Sequence, residues 1–390
     1  MQNKLTQRVQ SLDLAKGIIL VLMALDHTRD YFHAEAFIFN PLDPDATTWP
    51  IFATRWITHL CAPAFSFLAG VSAFFVSRRR SPFELSKFLI KRGLWLLFIQ
   101  LTVINFAWYF DPEFYRIELD VIGSLGISMI FLAFIVHTPP KFILVLSCLL
   151  IFGHNFLDNV HFDGSPWWAV LHESVTFQLN GAYSFAIWYP LIPWVGVMSL
   201  GFWFGKFYDK SYDPARRKKE FLLIGLVAIV LFILFRGLNI YGNPTPWVDF
   251  DSVSKNLMSL LDANKYPPSL SFLLMTLGPT FLFLAYSENL KGKLVDFFMT
   301  LGRVPFFFYI IHLYVIHLLA MLASELTWTG WNTMILKEWV TDVDALVGYG
   351  FSLWAVYLIW TFIIILLYPF CKKFDRYKMN HKEKEWLSYL

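Results

Sequence analysis

The chain has 390 residues, of which 57% are hydrophobic, 19% aromatic and 16% charged, and its formal net charge is +3. Soluble chains carry roughly a quarter charged residues, so this composition excludes a soluble enzyme, a disordered protein and a disulfide scaffold. Apolar runs near the ~20 residues that carry a helix across a bilayer recur from end to end, and their continuity excludes an outer-membrane β-barrel.

Taken in chain order, ten spans are expected at 11–32, 51–77, 92–110, 119–137, 141–157, 184–206, 220–240, 267–287, 304–323 and 345–370. The fold class that follows is all-α, a polytopic bundle of about ten transmembrane helices, with 1–390 a single integral-membrane domain. The first span is read as a retained helix, because no small-residue cleavage site follows it and its Asp26-His27-Thr28-Arg29-Asp30 stretch argues against a signal peptide. Cys61, Cys148 and Cys371 lie in or beside apolar runs without CxxC spacing, so each reads as a buried free thiol.

Lys and Arg stay on the cytoplasmic side of a membrane. With the N-terminus inside, 25 of the 32 basic residues fall on inner segments, among them Lys4, Arg8, Lys16 and the clusters at 78–92, 206–219 and 372–384. The other seven (Arg29, Arg55, Arg116, Arg236, Lys255, Lys265 and Lys337) fall outside or near outer ends. This asymmetry predicts cytoplasmic termini and a multi-pass protein of the inner, or plasma, membrane. It also accounts for the net charge, so nucleic-acid binding has no support. The outer segments 33–50, 158–183, 241–266 and 324–344 carry Trp49, Trp167, Trp168, Trp247, Trp328 and Trp331, read either as interfacial anchors or as stacking surfaces for carbohydrate.

Ionisable groups inside spans are costly and are functional candidates by default. The first span holds the densest set: Asp13, Lys16, Asp26, His27, Arg29 and Asp30, with His33 just beyond it. Asp13 and Lys16 stand one turn apart at the cytoplasmic mouth, where an ion pair is the plain reading. His27 follows Asp13 by fourteen residues, about 21 Å along the axis on nearly the same face. Asp26, Asp30 and His33 share a face but match no recognised zinc spacing, so no metal is expected. Arg55 and His59 are expected to pair on the second span, and Asp120 with Arg116 at the start of the fourth. His312 sits near mid-membrane in the ninth span, and His317, five residues on, faces elsewhere. Walker A, Rossmann, HExxH and GxSxG patterns are absent from the sequence.

Seven stretches together resemble one family. They are Arg8-Val-Gln-Ser-Leu-Asp13-Leu-Ala-Lys16-Gly17 running into Leu22-Met23-Ala-Leu-Asp26-His27-Thr-Arg29-Asp30, then Lys91-Arg92-Gly93-Leu-Trp95, and Val121-Ile-Gly123-Ser-Leu-Gly126. Tyr189-Pro190-Leu-Ile-Pro193-Trp194-Val-Gly196-Val-Met198 follows, with Lys265-Tyr-Pro267-Pro268-Ser269 and Leu277-Gly278. Leu301-Gly302-Arg303-Val-Pro305-Phe-Phe-Phe-Tyr309-Ile-Ile-His312-Leu closes the series. From residue 8 to about 320 the chain resembles the bacterial branch of the heparan-α-glucosaminide N-acetyltransferase family of transmembrane acyltransferases, leaving 321–390 as the last outer loop, final span and basic tail. The resemblance implies acetyl-CoA as the cytosolic co-substrate, an amino sugar or glycan acceptor on the outer side, and a homodimer by analogy. It also implies a catalytic histidine near the outer end of the first family span. Lysosomal members carry an asparagine ahead of that histidine. His27 stands at roughly the asparagine position here and His33 is six residues on, so either or both are candidates.

Acyl transfer from a thioester needs a general base, donors for the developing oxyanion and cations for the donor's phosphates. The catalytic candidates are His27, His33, Asp26, Asp30 and His312; Lys16, Arg92, Arg303 and Asp13 form the donor end. Helix ends broken by the Pro-rich turns at Pro190–Trp194 and Pro267-Pro268 are candidate sources of backbone N–H donors for the oxyanion. The competing class is a transporter or flippase, for which buried charges and helices broken at Pro190–Pro193 would suit alternating access.

The charge asymmetry makes a direct prediction. Residues 78–90, 207–219 and 372–390 face the cytoplasm, while 33–50 and 241–266 face outwards. In a background lacking the three native cysteines, Asp213→Cys stays unlabelled by an impermeant thiol reagent in intact cells; labelling there would invert the topology.

Overall fold

The computed structural model describes residues 9–384, 386 and 387. Lys4 and Arg8, counted among the inner charges, lie outside the described residues. The chain is a bundle of helices with a small sheet at one end, as the all-α reading expects. Helix α1 (Gln10–Phe32) is followed by α2 (Trp49–Ile57), which passes through a 3-10 turn into α3 (Cys61–Ser77). Helix α4 (Pro82–Ile99) continues through a π-turn at Gln100–Ile104 into α5 (Asn105–Tyr109). Next come α6 (Val121–Ile135), α7 (Pro140–Gly153), α8 (Pro166–Leu171), α9 (Leu191–Phe204) and α10 (Pro214–Gly237). The remainder comprises α11 (Val253–Leu261), α12 (Leu270–Ser287), α13 (Lys293–Gly302), α14 (Pro305–Leu326) and α15 (Leu353–Asn380).

Among the described residues, seven helical segments are long and apolar enough to cross a membrane. Helix α1 fails that criterion through its charges and α6 through its length, and α9 is also outside the seven, although all three pack within the same bundle. The surface is turned inside out relative to a soluble protein. On α10 the buried residues Phe221, Gly225, Ala228 and Phe232 form one stripe, while Leu223, Leu226, Val230 and Ile233 are exposed. An apolar outer face is what hydrocarbon solvates. The three cysteines are free, as expected; Cys61 and Cys371 are buried, whereas Cys148, also expected to be buried, is only half-buried.

Several span edges differ from expectation, two of them for a capping reason. Helix α4 begins at Pro82, ten residues before the expected span, because Ser81 and Glu84 form a capping box. Helix α10 starts at Pro214, where the Asp213 carboxylate accepts from the backbone N–H groups of Ala215 and Arg216. Residues 184–187, expected to open a span, form a strand instead. The expected break at Pro190–Pro193 is the junction between that strand and α9, not an interruption within a helix. The strands are β1 (Arg116–Leu119), β2 (Val175–Gln178) and β3 (Ser184–Ile187), in order β1-β3-β2, with β3 parallel to β1 and antiparallel to β2.

Four helix pairs are drawn together by reciprocal glycines, the small-residue contacts on which membrane helices rely. A methyl group at Gly17 on α1 would stand 1.9 Å from the Phe298 carbonyl oxygen of α13, and one at Gly302 would stand 1.8 Å from the Asp13 carbonyl oxygen. Gly70 and Gly201 lock α3 to α9 in the same manner, Gly93 and Gly126 lock α4 to α6, and Gly225 and Gly278 join α10 to α12. Helix α1 then occupies the centre, touching α3, α12, α13, α14 and α15.

Gly17→Val therefore destabilises the protein by about 1–3 kcal/mol or more, the cost of overpacking a tight interface. Thermal unfolding in detergent reads this. Gly153→Ala, with nothing within 4 Å of the added methyl, is the control that stays near wild type.

Candidate functional site

One cavity of about 850 Å³ runs alongside α1. Lys16, Ser72, Val76 and Arg92 line one end of it, and Asn40, Asp262, Lys265 and Asp342 the other. Between them lie His27, Asp26, Asp30, Arg55, Trp108 and Tyr309. The first end belongs to the set of chain segments holding the Arg78–Asp209, Arg217–Glu288 and Arg303–Asp375 ion pairs. The second belongs with the contacts Lys255–Asp45, Tyr241–Phe152 and His33–Phe351. The cavity thus connects the two poles of the bundle along its central helix.

His27 and His312, 285 residues apart, meet with Nδ1 of His27 2.8 Å from Nε2 of His312. Their hydrogen bonds define the tautomers. A carbonyl only accepts, so His312 Nδ1, 3.0 Å from the Phe308 carbonyl oxygen, carries the proton. Its Nε2 is then an acceptor, and His27 must donate from Nδ1. In neutral His27 the remaining nitrogen, Nε2, carries the lone pair, on a side chain that lines the cavity. His312 is fully buried behind it. Trp108 packs edge-on against His27, with ring centroids 4.7 Å apart. The Trp108 Nε1 and Tyr309 hydroxyl groups, both buried here, have no partner at ordinary hydrogen-bond length.

One turn of α1 carries Asp26, Arg29 and Asp30, and Arg55 reaches it from α2. Arg55 Nη1 lies 2.5 Å from Asp26 Oδ2, Arg29 Nη2 lies 3.5 Å from Asp26 Oδ1, and Arg29 also pairs with Asp30. Two cations and two anions cancel. The expected Arg55–His59 pair does not form, because Asp26 takes the guanidinium; both His59 ring nitrogens are buried without partners. The expected Arg116–Asp120 pair is replaced by Arg116–Glu118 at 2.7 Å, since residues two apart on β1 share a face.

The remaining candidates divide. Lys16, whose Nζ donates to Ser72 Oγ at 2.8 Å, and Arg92 both line the cavity. Asp13 is buried, its carbonyl against Gly302. Arg303 binds Asp375 of α15 at 2.8 Å and is not among the residues lining the cavity. His33 likewise lies apart, beside a smaller cavity with Glu35, Phe351 and Trp354. Burial and the Arg29 guanidinium push its imidazole down to about 4, so His33 is neutral at neutral pH. Residues Pro190–Trp194 and Pro267-Pro268 do not line the main cavity, nor do the six outer tryptophans; Trp108, Trp188 and Trp339 do. Sequence reasoning also passed over Asp262, Lys265 and Tyr309 as cavity groups.

A contacting pair of histidines, one of them lining the cavity, thus stands beside the central helix of an apolar bundle. Residues 8–242 match the catalytic domain of heparan-alpha-glucosaminide N-acetyltransferase, and the chain belongs to that family of acyltransferase-type membrane enzymes. The matched stretch includes His27 and ends before His312. No curated protein matches the chain.

The charge network generates a stability prediction. Removing one partner of a buried ion pair leaves the other uncompensated, which costs about 3–5 kcal/mol. Arg55→Met is thus strongly destabilising by thermal unfolding, and Arg55→Met combined with Asp26→Asn recovers much of the loss. Equal stability of Arg55→Met and wild type would show that the network is not coupled.

Proposed function

We propose that the enzyme transfers an acetyl group from acetyl-CoA, bound at the basic cytoplasmic pole, to an amine or hydroxyl of a sugar or glycan on the outer side. The observation that carries this reading is the single cavity containing His27 between a pole lined by Lys16 and Arg92 and a pole lined by Asp262 and Lys265. The ten-span topology with cytoplasmic termini belongs to the proposal, as do location in the plasma membrane and the treatment of 1–390 as one domain. Contact of α15 with α1 supports the last of these.

His27 Nε2 acts as general base. It takes the acceptor's proton as the acceptor nitrogen or oxygen attacks the thioester carbonyl. The tetrahedral intermediate collapses with cleavage of the C–S bond, and the proton passes to the departing thiolate to give free CoA thiol. His312 holds the His27 ring in the tautomer that presents Nε2, and shares the positive charge during the reaction through their hydrogen bond. Trp108 Nε1 and the Tyr309 hydroxyl, buried beside His27, serve the oxyanion. Asp26 and Asp30 are engaged with arginines and fix the helix rather than move protons. Lys16 and Arg92 take the phosphates at the donor pole, with Asp13 nearby. Arg303, committed to Asp375, supports that pole from outside the cavity.

His27→Ala lowers turnover by ~10²–10⁴-fold, as expected for a positioned base. Release of CoA thiol from acetyl-CoA, dependent on an amino sugar or glycan, is the readout, and CoA binding survives because the phosphates dock at the other pole. His312→Phe reduces turnover less and changes the pH profile. If His27→Ala retains full turnover while His33→Ala loses it, the base is His33.

A further inference from the structure

A second cluster of metal-ligating side chains lies at the outer pole, apart from the cavity. His154 stands at the end of α7, Asp158 one turn on and His172 at the close of α8. One ligand atom from each lies within 4.8 Å of the other two. Both His154 ring nitrogens are buried without a hydrogen-bond partner, an expensive arrangement for an imidazole in a protein interior. His172 is also buried, with Nε2 3.8 Å from Asp158 Oδ1 and 2.7 Å from the His154 carbonyl oxygen. Asp158 is oriented from behind, since Asn155 Nδ2 donates to its Oδ2 at 2.8 Å and leaves Oδ1 on the histidine side. Trp168 stacks on the His172 ring at 5.7 Å. Two imidazoles, a carboxylate and a hydrogen-bonded group behind the carboxylate are the parts of a transition-metal site.

We propose that His154, Asp158 and His172 bind a divalent transition metal ion of the zinc class, which fastens the outer segment 158–183 to the bundle. Neutral imidazole and carboxylate donors suit zinc, cobalt or nickel better than magnesium or calcium, which favour all-oxygen sites. Ligand atoms around a tetrahedral zinc ion, ~2.0–2.1 Å from the metal, stand within the separations seen in this cluster. On loading, His172 moves its proton to Nδ1 and exchanges the Nε2 contact with the His154 carbonyl for the metal, and one of the two vacant His154 nitrogens gains a partner. None of its three ligands lines the cavity that holds His27, so the site lies apart from that cavity. Its leverage comes through Asn155, whose Oδ1 accepts the backbone N–H of Leu270 at 2.8 Å at the start of α12. That start lies directly after Lys265 and Tyr266 at the cavity's outer end. This departs from the sequence expectation of no metal, which rested on Asp26, Asp30 and His33.

The test uses the full-length protein, purified without a polyhistidine tag, exposed to zinc chloride and freed of loose ions on a chelating resin. Elemental analysis finds one tightly held zinc per chain, cobalt substitution gives visible absorption of a low-coordinate site, and zinc raises the thermal midpoint of chelator-treated protein. Asp158→Asn preserves shape and hydrogen bonding, and lowers zinc occupancy and the zinc-dependent midpoint shift at least tenfold in apparent affinity. His172→Gln does the same, and His161→Gln, a neighbouring exposed histidine, retains wild-type zinc. Wild-type protein without retained zinc, or Asp158→Asn and His172→Gln with wild-type zinc content, overturns the proposal.

Discussion

Four charged side chains on adjacent turns in an apolar bundle are tolerable only if they neutralise one another in place, and the structure is organised around that requirement. Asp26, Arg29 and Asp30 on α1 are a net anion until Arg55 arrives from α2. A buried pair of this kind gains little stability over a well-packed apolar substitute, yet strands a charge if either partner is displaced. The network therefore acts as a register pin. It fixes the height of α1 against α2. A helix too polar to face lipid must also be surrounded, which is why α1 lies at the centre and the cavity beside it.

The apolar runs made the helical class and the approximate position of most spans legible in the sequence, because hydrocarbon imposes length and composition on whatever crosses it. Edges were less legible. Hydropathy marks where a helix meets water, whereas caps mark where it starts, and Ser81–Glu84 and Asp213–Pro214 start helices several residues before the apolar run. Those cap signals were present in the sequence. The strand at Ser184–Ile187 was masked by the apolar run it joins, since a short apolar segment reads equally as strand or helix.

Of the candidate site, α1 supplied the readable part: its density of ionisable groups pointed to Asp26, His27 and Asp30. The His27–His312 contact was not readable, for helical periodicity orders residues along one helix and says nothing about a partner 285 residues away. The pairing choices failed for the same reason. Arg55 looked committed to His59 by spacing, but a carboxylate from another helix competes better for a guanidinium than an imidazole does. The same long-range pairing engages Arg303, which binds Asp375 from the far end of the chain and does not line the cavity.

The reciprocal glycines have a mechanical consequence. In the α1–α13 and α3–α9 pairs, backbone sits against backbone so closely that a single methyl would approach a carbonyl oxygen to 2.0 Å or less. Sliding either helix by one residue would set a side-chain-bearing position against that carbonyl, so shear within these pairs is blocked in both directions. They behave as rigid planks. Any rearrangement that admits a substrate or frees a product has to open the seams between planks.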